Sequence, residues 1–156
     1  MRADLEFSPA LQPRVLCVGD MTVDIFAASV PMLPEPGELR LTERMVVCPG
    51  GNALNTAVAL RRLGEPVSFH GYVGADPFGD LLLGELHRLD LDLRGVTRLV
   101  GQATPTTLIY RAQNEDRRYI SAVGAGERYT GQDVSAELIP EDGVVLAAGY
   151  LKLGSW

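Results

Sequence analysis

Several features that mark large protein classes are scarce or missing in this chain. It has two cysteines, two histidines and one tryptophan in 156 residues. No apolar stretch reaches the length that crosses a bilayer, so no membrane partner is expected. Lysine and arginine never form a run, and they number 14 against 20 acids, a formal net charge of −6. That balance lacks the basic footprint of a nucleic-acid or anionic-membrane binder. Cys17 and Cys48 lie in apolar, strand-like runs, where buried reduced thiols and a cytoplasmic location are expected. His70 and His87 stand at no ligand spacing with each other or with the cysteines, so no metal site built from this chain's side chains is expected. Residues 1–13 carry Asp4 and Glu6 among scattered apolar residues. Without a basic start they do not read as a secretory signal, and a poorly ordered lead-in is expected. No internal repeat or low-complexity tract is present.

What is present is enough for one domain with a sizeable core. The chain is organised around Pro49-Gly50-Gly51-Asn52-Ala53-Leu54-Asn55, which runs on to Leu63-Gly64. Leu54, Val58 and Arg61 share one helical stripe, and Ala53, Ala57 and Leu60 share its neighbour, giving a broad apolar face. Gly64 suits the position after a helix and Pro66 blocks continuation. Two glycines permit close approach to the backbone. A helix start leaves amide donors unpaired. With Asn52 and Asn55 one turn apart, this corner can bind hydroxyl groups. It can equally be a tight strand-to-helix turn with Asn52 as N-cap.

Val15 to Gly19 is a continuous apolar run, the pattern of a strand buried on both faces. Asp20, Thr22 and Asp24 follow at its carboxyl end, where ligands gather in open α/β sheets. An Asp there can accept two hydroxyl hydrogen bonds from a polyol, or can be a solvated loop acid. Val23 to Val30 reads as a strand, and Pro31, Pro34, Pro36 and Gly37 as a loop. Leu39 to Val47 alternates in part and reads as a half-exposed strand. Val67 to Gly74 is a further inner strand, so strand, helix, strand predicts parallel pairing. His70 reads as a packed or capped residue. Asp76 and Pro77 start a second helix, with Phe78, Leu82, Leu86 and Leu89 as its stripe. Leu91 to Val100 reads as strand or loop. Thr107 to Ala112 and Arg117 to Ala122 flank a polar turn and predict a hairpin, joined with the earlier β excursion into one small covering sheet. Gly124-Ala125-Gly126-Glu127 lacks the spacing and the Lys or Ser of a phosphate loop. Residues 130–139 read as a short helix, and Val144 to Leu151 as a buried strand.

Together these residues resemble the N-terminal half of a ribokinase-like (PfkB-type) sugar or nucleoside kinase, over about residues 14 to 151. The likeness rests on Gly19-Asp20-Met21-Thr22-Val23-Asp24, on Gly50-Gly51-Asn52-Ala53-Leu54-Asn55, on Gly71-Tyr72-Val73-Gly74-Ala75-Asp76-Pro77-Phe78-Gly79, and on the hairpin ending at Gly124-Ala125. The resemblance implies a three-layer α/β/α fold with a mostly parallel sheet and a small β lid at about 23–48 and 107–123. It implies substrate binding by Asp24, Gly50, Gly51 and Asn55, with Thr22 and Asn52 as weaker members. It also implies ATP and Mg2+ as cofactors, a sugar or nucleoside as partner, and a lid that can pair in a homodimer. The catalytic base and most of the ATP site belong to the C-terminal half of that family, which nothing in this chain matches. The expectation is therefore a fragment or truncated product, with its substrate-binding half and lid and no catalytic residue of its own. A non-catalytic sugar-binding half-kinase and a lid-mediated assembly module are the alternatives.

Overall fold

The computed structural model describes residues 13–149. The expected lead-in therefore lies almost wholly outside the described residues, as do positions 150–156. Two four-stranded sheets organise the chain. The first is all parallel and contains β1 (Val15–Gly19), β4 (Val67–Gly74), β5 (Asp92–Leu99) and β8 (Val144–Ala148), in the order β5-β4-β1-β8. The second contains β2 (Thr22–Ala27), β3 (Met45–Gly50), β6 (Thr106–Tyr110) and β7 (Arg118–Ala122), in the order β3-β2-β6-β7. Here β2 runs antiparallel to β3 and parallel to β6, and β6 and β7 form the expected antiparallel hairpin. The early β excursion and the hairpin thus make one sheet.

Among the described residues two α-helices, α1 (Asn52–Arg62) and α2 (Pro77–Arg88), accompany the sheets. The core lies where they meet the first sheet: Ala53, Leu54 and Ala57 of α1 and Leu82 and Leu86 of α2 pack with Cys17, Phe69 and Val73. Removing such side chains from water supplies the main driving force. Asp76 caps α2 by accepting from the Gly79 amide at 2.8 Å, and its other oxygen takes the Thr104 amide at 2.8 Å. That second bond pins the segment leading into β6 beside the first sheet.

The structure corrects several expectations. The residue capping α1 is Gly51, with φ +97°, and Asn52 is the first helical residue. The strand expected over Leu39 to Val47 begins only at Met45 and includes Cys48, Pro49 and Gly50. Pro49 is tolerated because β3 is the edge of its sheet. The strand β2 stops at Ala27, and Val30 keeps only a single bridge to Ala112. On α2 the buried position is Gly79, and Phe78 faces outward. A side chain at 79 would strike the Gly74 carbonyl oxygen, so the helix packs there by lacking one. Residues 130–139 form two separate 3-10 turns, Gly131–Asp133 and Ala136–Leu138. The final strand is an exposed edge, with Val144 and Val145 open to solvent. It ends at Ala148, before Gly149 with φ +88°, and the expected continuation over 150–151 lies outside the described residues.

Candidate functional site

Strand β1 ends at Gly19, and the chain turns through Asp20 and Met21 into β2. Side chains alternate along a strand, so Thr22 and Asp24 share one face. The Thr22 hydroxyl donates to Asp24 Oδ1 at 2.7 Å. Antiparallel pairing sets Thr22 opposite Gly50 and Asp24 opposite Cys48. The carboxylate therefore leans over the end of β3. A Cβ built on Gly50 would stand 2.1 Å from Asp24 Oδ2. Burial pushes the Asp24 pKa up, the Thr22 hydrogen bond opposes this, and the Asp20 charge adds to the rise. Across β2, Thr107 is register-paired with Asp24 and Ser121 with Thr107, and their hydroxyls lie 3.0 Å apart. A carboxylate and two hydroxyls thus run in a row across the second sheet.

The Gly50–Asn55 corner is built against the same loop. Gly51 has a positive φ, +97°, and the Asp20 carbonyl also passes close by, 2.6 Å from where a Cβ would sit. Asp20 Oδ1 accepts the Ala53 amide at 3.1 Å. This carboxylate, from 33 positions upstream, serves the start of α1 in place of a local cap. Negative charge at a helix start is also favoured by the helix dipole. Asn52 and Asn55 lie exposed on the first turn of α1.

A scan against family models matches residues 12–156 to the pfkB family of carbohydrate kinases. The chain belongs to that family. A fructokinase of Klebsiella pneumoniae is 32% identical over 138 residues, covering 87% of this chain and 38% of that protein. Among solved structures, the apo form of a putative ribokinase II from Escherichia coli superposes with a TM-score of 0.74 at 22% identity, over 86% of this chain and 43% of that one. A ribokinase of Arabidopsis thaliana, complexed with ribose and ATP, gives 0.65 at 22% identity, over 78% of this chain and 38% of that one. At those identities the structural likeness is one of fold. The chain spans under half the length of each of these proteins.

In this pfkB-family chain the geometry brings Thr22, Asp24 and Gly50 together and seats Gly51 against the turn that precedes them. Asn52 and Asn55 are held on the adjoining helix start, without a hydrogen bond from either side chain to the described residues. The sequence reading did not single out Asp20 as the partner of α1, nor Thr107 and Ser121 as the continuation of the Asp24 row. For Thr107 and Ser121 a signal existed, since a strand period of two fixes one face once the register is known. For Asp20 none did, because the contact spans two strands and a loop.

A small cavity of about 20 Å3 adjoins the group, with Asp20, Thr22, Tyr72, Pro105, Val123 and Tyr129 in its wall. Its floor is aromatic: Tyr72 and Tyr129 meet edge to face, 5.3 Å between centroids at 88°. The Tyr129 hydroxyl lies 2.9 Å from Nδ1 of buried His70. Asp24, Gly50, Gly51, Asn52 and Asn55 lie outside this wall, and Thr22 is the one expected substrate-binding residue within it. Among the described residues no cluster of three or more His, Cys, Asp or Glu could hold a metal ion. Gly124–Arg128 is a 3-10 turn with buried Ala125, and no residue there forms a phosphate cradle with a Lys or Ser. Both cysteines are free thiols, and burial raises the Cys17 pKa to about 11.

Proposed function

We propose that this chain is the substrate-binding portion of an ATP-dependent carbohydrate kinase, holding a sugar or nucleoside while a hydroxyl is phosphorylated. One observation carries the reading. Asp24, steadied by Thr22, projects over side-chain-free Gly50 at the carboxyl end of β1, beside the start of α1. The missing side chain at Gly50 leaves room for the carboxylate over the end of β3, where it can accept from two hydroxyls of a polyol. Gly51, Asn55 and Asn52 extend that corner with backbone and amide groups. The second sheet serves as a lid over it. Fructokinase and ribokinase relatives support a sugar as the ligand, and the ribose and ATP bound to the Arabidopsis thaliana ribokinase support ATP as phosphoryl donor. No transfer step is assigned to this chain's residues, and alone it is expected to be inactive as a kinase. A cytoplasmic location accords with its free thiols.

Isothermal calorimetry of the full chain against D-fructose, D-ribose and adenosine tests the reading, with Asp24→Asn as control. At least one compound is expected to bind. The substitution should weaken it by about 1.5–3 kcal/mol, the worth of a hydrogen bond to a charged group. Equal affinity in the variant would remove Asp24 from the site.

A second reading is favoured by the surface of the second sheet. Met45, Val46 and Val47 of β3 and Tyr119 and Ile120 of β7 are exposed. Val47 and Ile120 lie in one register row across the sheet, with Ile25 and Leu108 between them, and a second copy of the chain paired through that face would cover them. Light scattering of an Ile120→Asp variant tests that homodimer. A mass equal to that of the unaltered chain sinks it.

A further inference from the structure

We propose that Tyr129, clamped by His70 and braced by Tyr72, is the end wall of the sugar site and sets the size of the substituent a substrate carries there. The inference rests on the reading of Asp24 and Thr22 as the hydroxyl-binding pair. Thr22 is the link between the two groups. Its hydroxyl donates to Asp24, and the same residue lines the cavity. A sugar held by Asp24 therefore has its next unfilled space at Thr22, ending on the tyrosine rings.

That space is small. About 20 Å3 accommodates one water-sized group, a hydroxyl or a methyl. Beyond it the wall does not yield easily. Tyr129 is only 3% exposed, Ala125 four positions before it is fully buried, and the His70 contact fixes the ring from behind. His70 stands on β4 in the middle of the first sheet, so the clamp joins the lid's return segment to the most constrained part of the fold. Tyr72, also on β4, meets the Tyr129 ring edge-on and closes the remaining side. The rim is set by the segments where the second sheet joins the first: Thr22 opens β2, Pro105 precedes β6 and Val123 follows β7. Shape here comes from three chain crossings and two rings. A substrate is therefore sorted by the bulk of one exocyclic group.

The test compares D-arabinose with D-fructose. Their furanose rings differ by the hydroxymethyl group that fructose carries at the anomeric carbon. Affinities for both are measured by calorimetry on the full chain, on Tyr129→Leu, on Tyr129→Phe and on Tyr72→Leu. Furanose populations of the free sugars cancel when the fructose-to-arabinose affinity ratio is compared between variants. Tyr129→Leu should move that ratio toward fructose by about tenfold or more, the worth of one carbon fitted into a pocket. Tyr129→Phe keeps the ring and should leave the ratio in place although the His70 contact is lost. Tyr72→Leu, on the less buried ring, should shift the ratio the same way and serves if Tyr129→Leu does not fold. Sugar binding with an unmoved ratio in a folded leucine variant overturns this inference alone. Binding of neither sugar to the unaltered chain overturns this inference, and failure of D-ribose and adenosine to bind as well overturns the proposed function with it.

Discussion

Asp24 occupies the room that a side chain at Gly50 would need, its Oδ2 lying 2.1 Å from the Cβ position. Gly50 itself has no positive φ. The backbone would thus accept alanine, and the nearest conflict is with the carboxylate. We expect Gly50→Ala to fold and to swing Asp24 away from the corner, lowering sugar affinity about as much as Asp24→Asn does, about 1.5–3 kcal/mol. Calorimetry of the single and double variants checks this. Additive losses would show that the two positions do not act on one contact.

The neighbouring glycine is needed for a different reason. Gly51 has φ +97° and ψ 142°, and a Cβ would meet the backbone of Asp20 and Met21. Neither strain can be relieved by turning a side chain. Gly51→Ala should cost on the order of 1–3 kcal/mol of folding stability, the price of a side chain in glycine-only backbone space. Urea unfolding with a shifted midpoint and an unchanged slope is the expected result. A midpoint equal to that of the unaltered chain would contradict the turn geometry.

How much of this was legible beforehand divides along the range of the contacts. The inner-strand readings placed β1 and β4 and the period of 3.6 placed α1 and α2, because each buries residues that are close in sequence. The hairpin of β6 and β7 was equally local. Asp24 and the glycine pair were readable as candidates, since an acid after a buried strand and a Gly-Gly before a helix are local patterns too. The limits of β3 were not. Its register is chosen by β2 and not by its own alternation, so Cys48-Pro49-Gly50 joined the strand and Leu39 and Leu41 did not. Nor was the true partner of α1, because Asp20 reaches it only after the chain has passed through β2 and β3. The Tyr72–Tyr129–His70 group had no signal at all. His70 and Tyr129 are 59 positions apart, and only the return of the chain from the second sheet makes them neighbours.

The ionised form of Asp24 is held at a cost. Burial and the Asp20 charge raise its pKa above the ordinary value of 3.8, with the Thr22 hydrogen bond opposing. A carboxyl whose folded pKa is raised favours the folded state at pH values below 3.8. It withdraws that support as pH climbs through the folded value, so at neutral pH the charge is a liability to folding. Asp24→Asn keeps an acceptor for Thr22 and removes the charge. We expect it to melt at a higher temperature than the unaltered chain at pH 7, and the gap to close at acid pH. Together with weaker sugar binding, this would be the signature of a residue kept for function at the expense of stability. A lower melting temperature at pH 7 would refute the assignment.

His70 gives a pH dependence of the opposite sense. Burial lowers its pKa below 6.5, and Asp133, through its backbone and its charge, only partly restores it. Tyr129 faces the ring through its hydroxyl, and Tyr72 lies beside it at 6.5 Å between centroids. In the unfolded chain the ring takes up its proton near pH 6.5, while the folded site resists until lower pH. The unfolded state therefore binds more protons in that window, and stability falls as pH drops below 6.5, levelling once the folded value is passed. Melting temperatures between pH 8 and pH 5 should trace that decline. In His70→Gln the part of the slope beginning near pH 6.5 should disappear, whatever the substitution costs at pH 8, because glutamine does not titrate. The other histidine, His87, is exposed on the last turn of α2 and remains in both proteins, so it cancels in the comparison. Parallel curves for the two proteins would mean that the buried ring does not couple protonation to the packing of Tyr129.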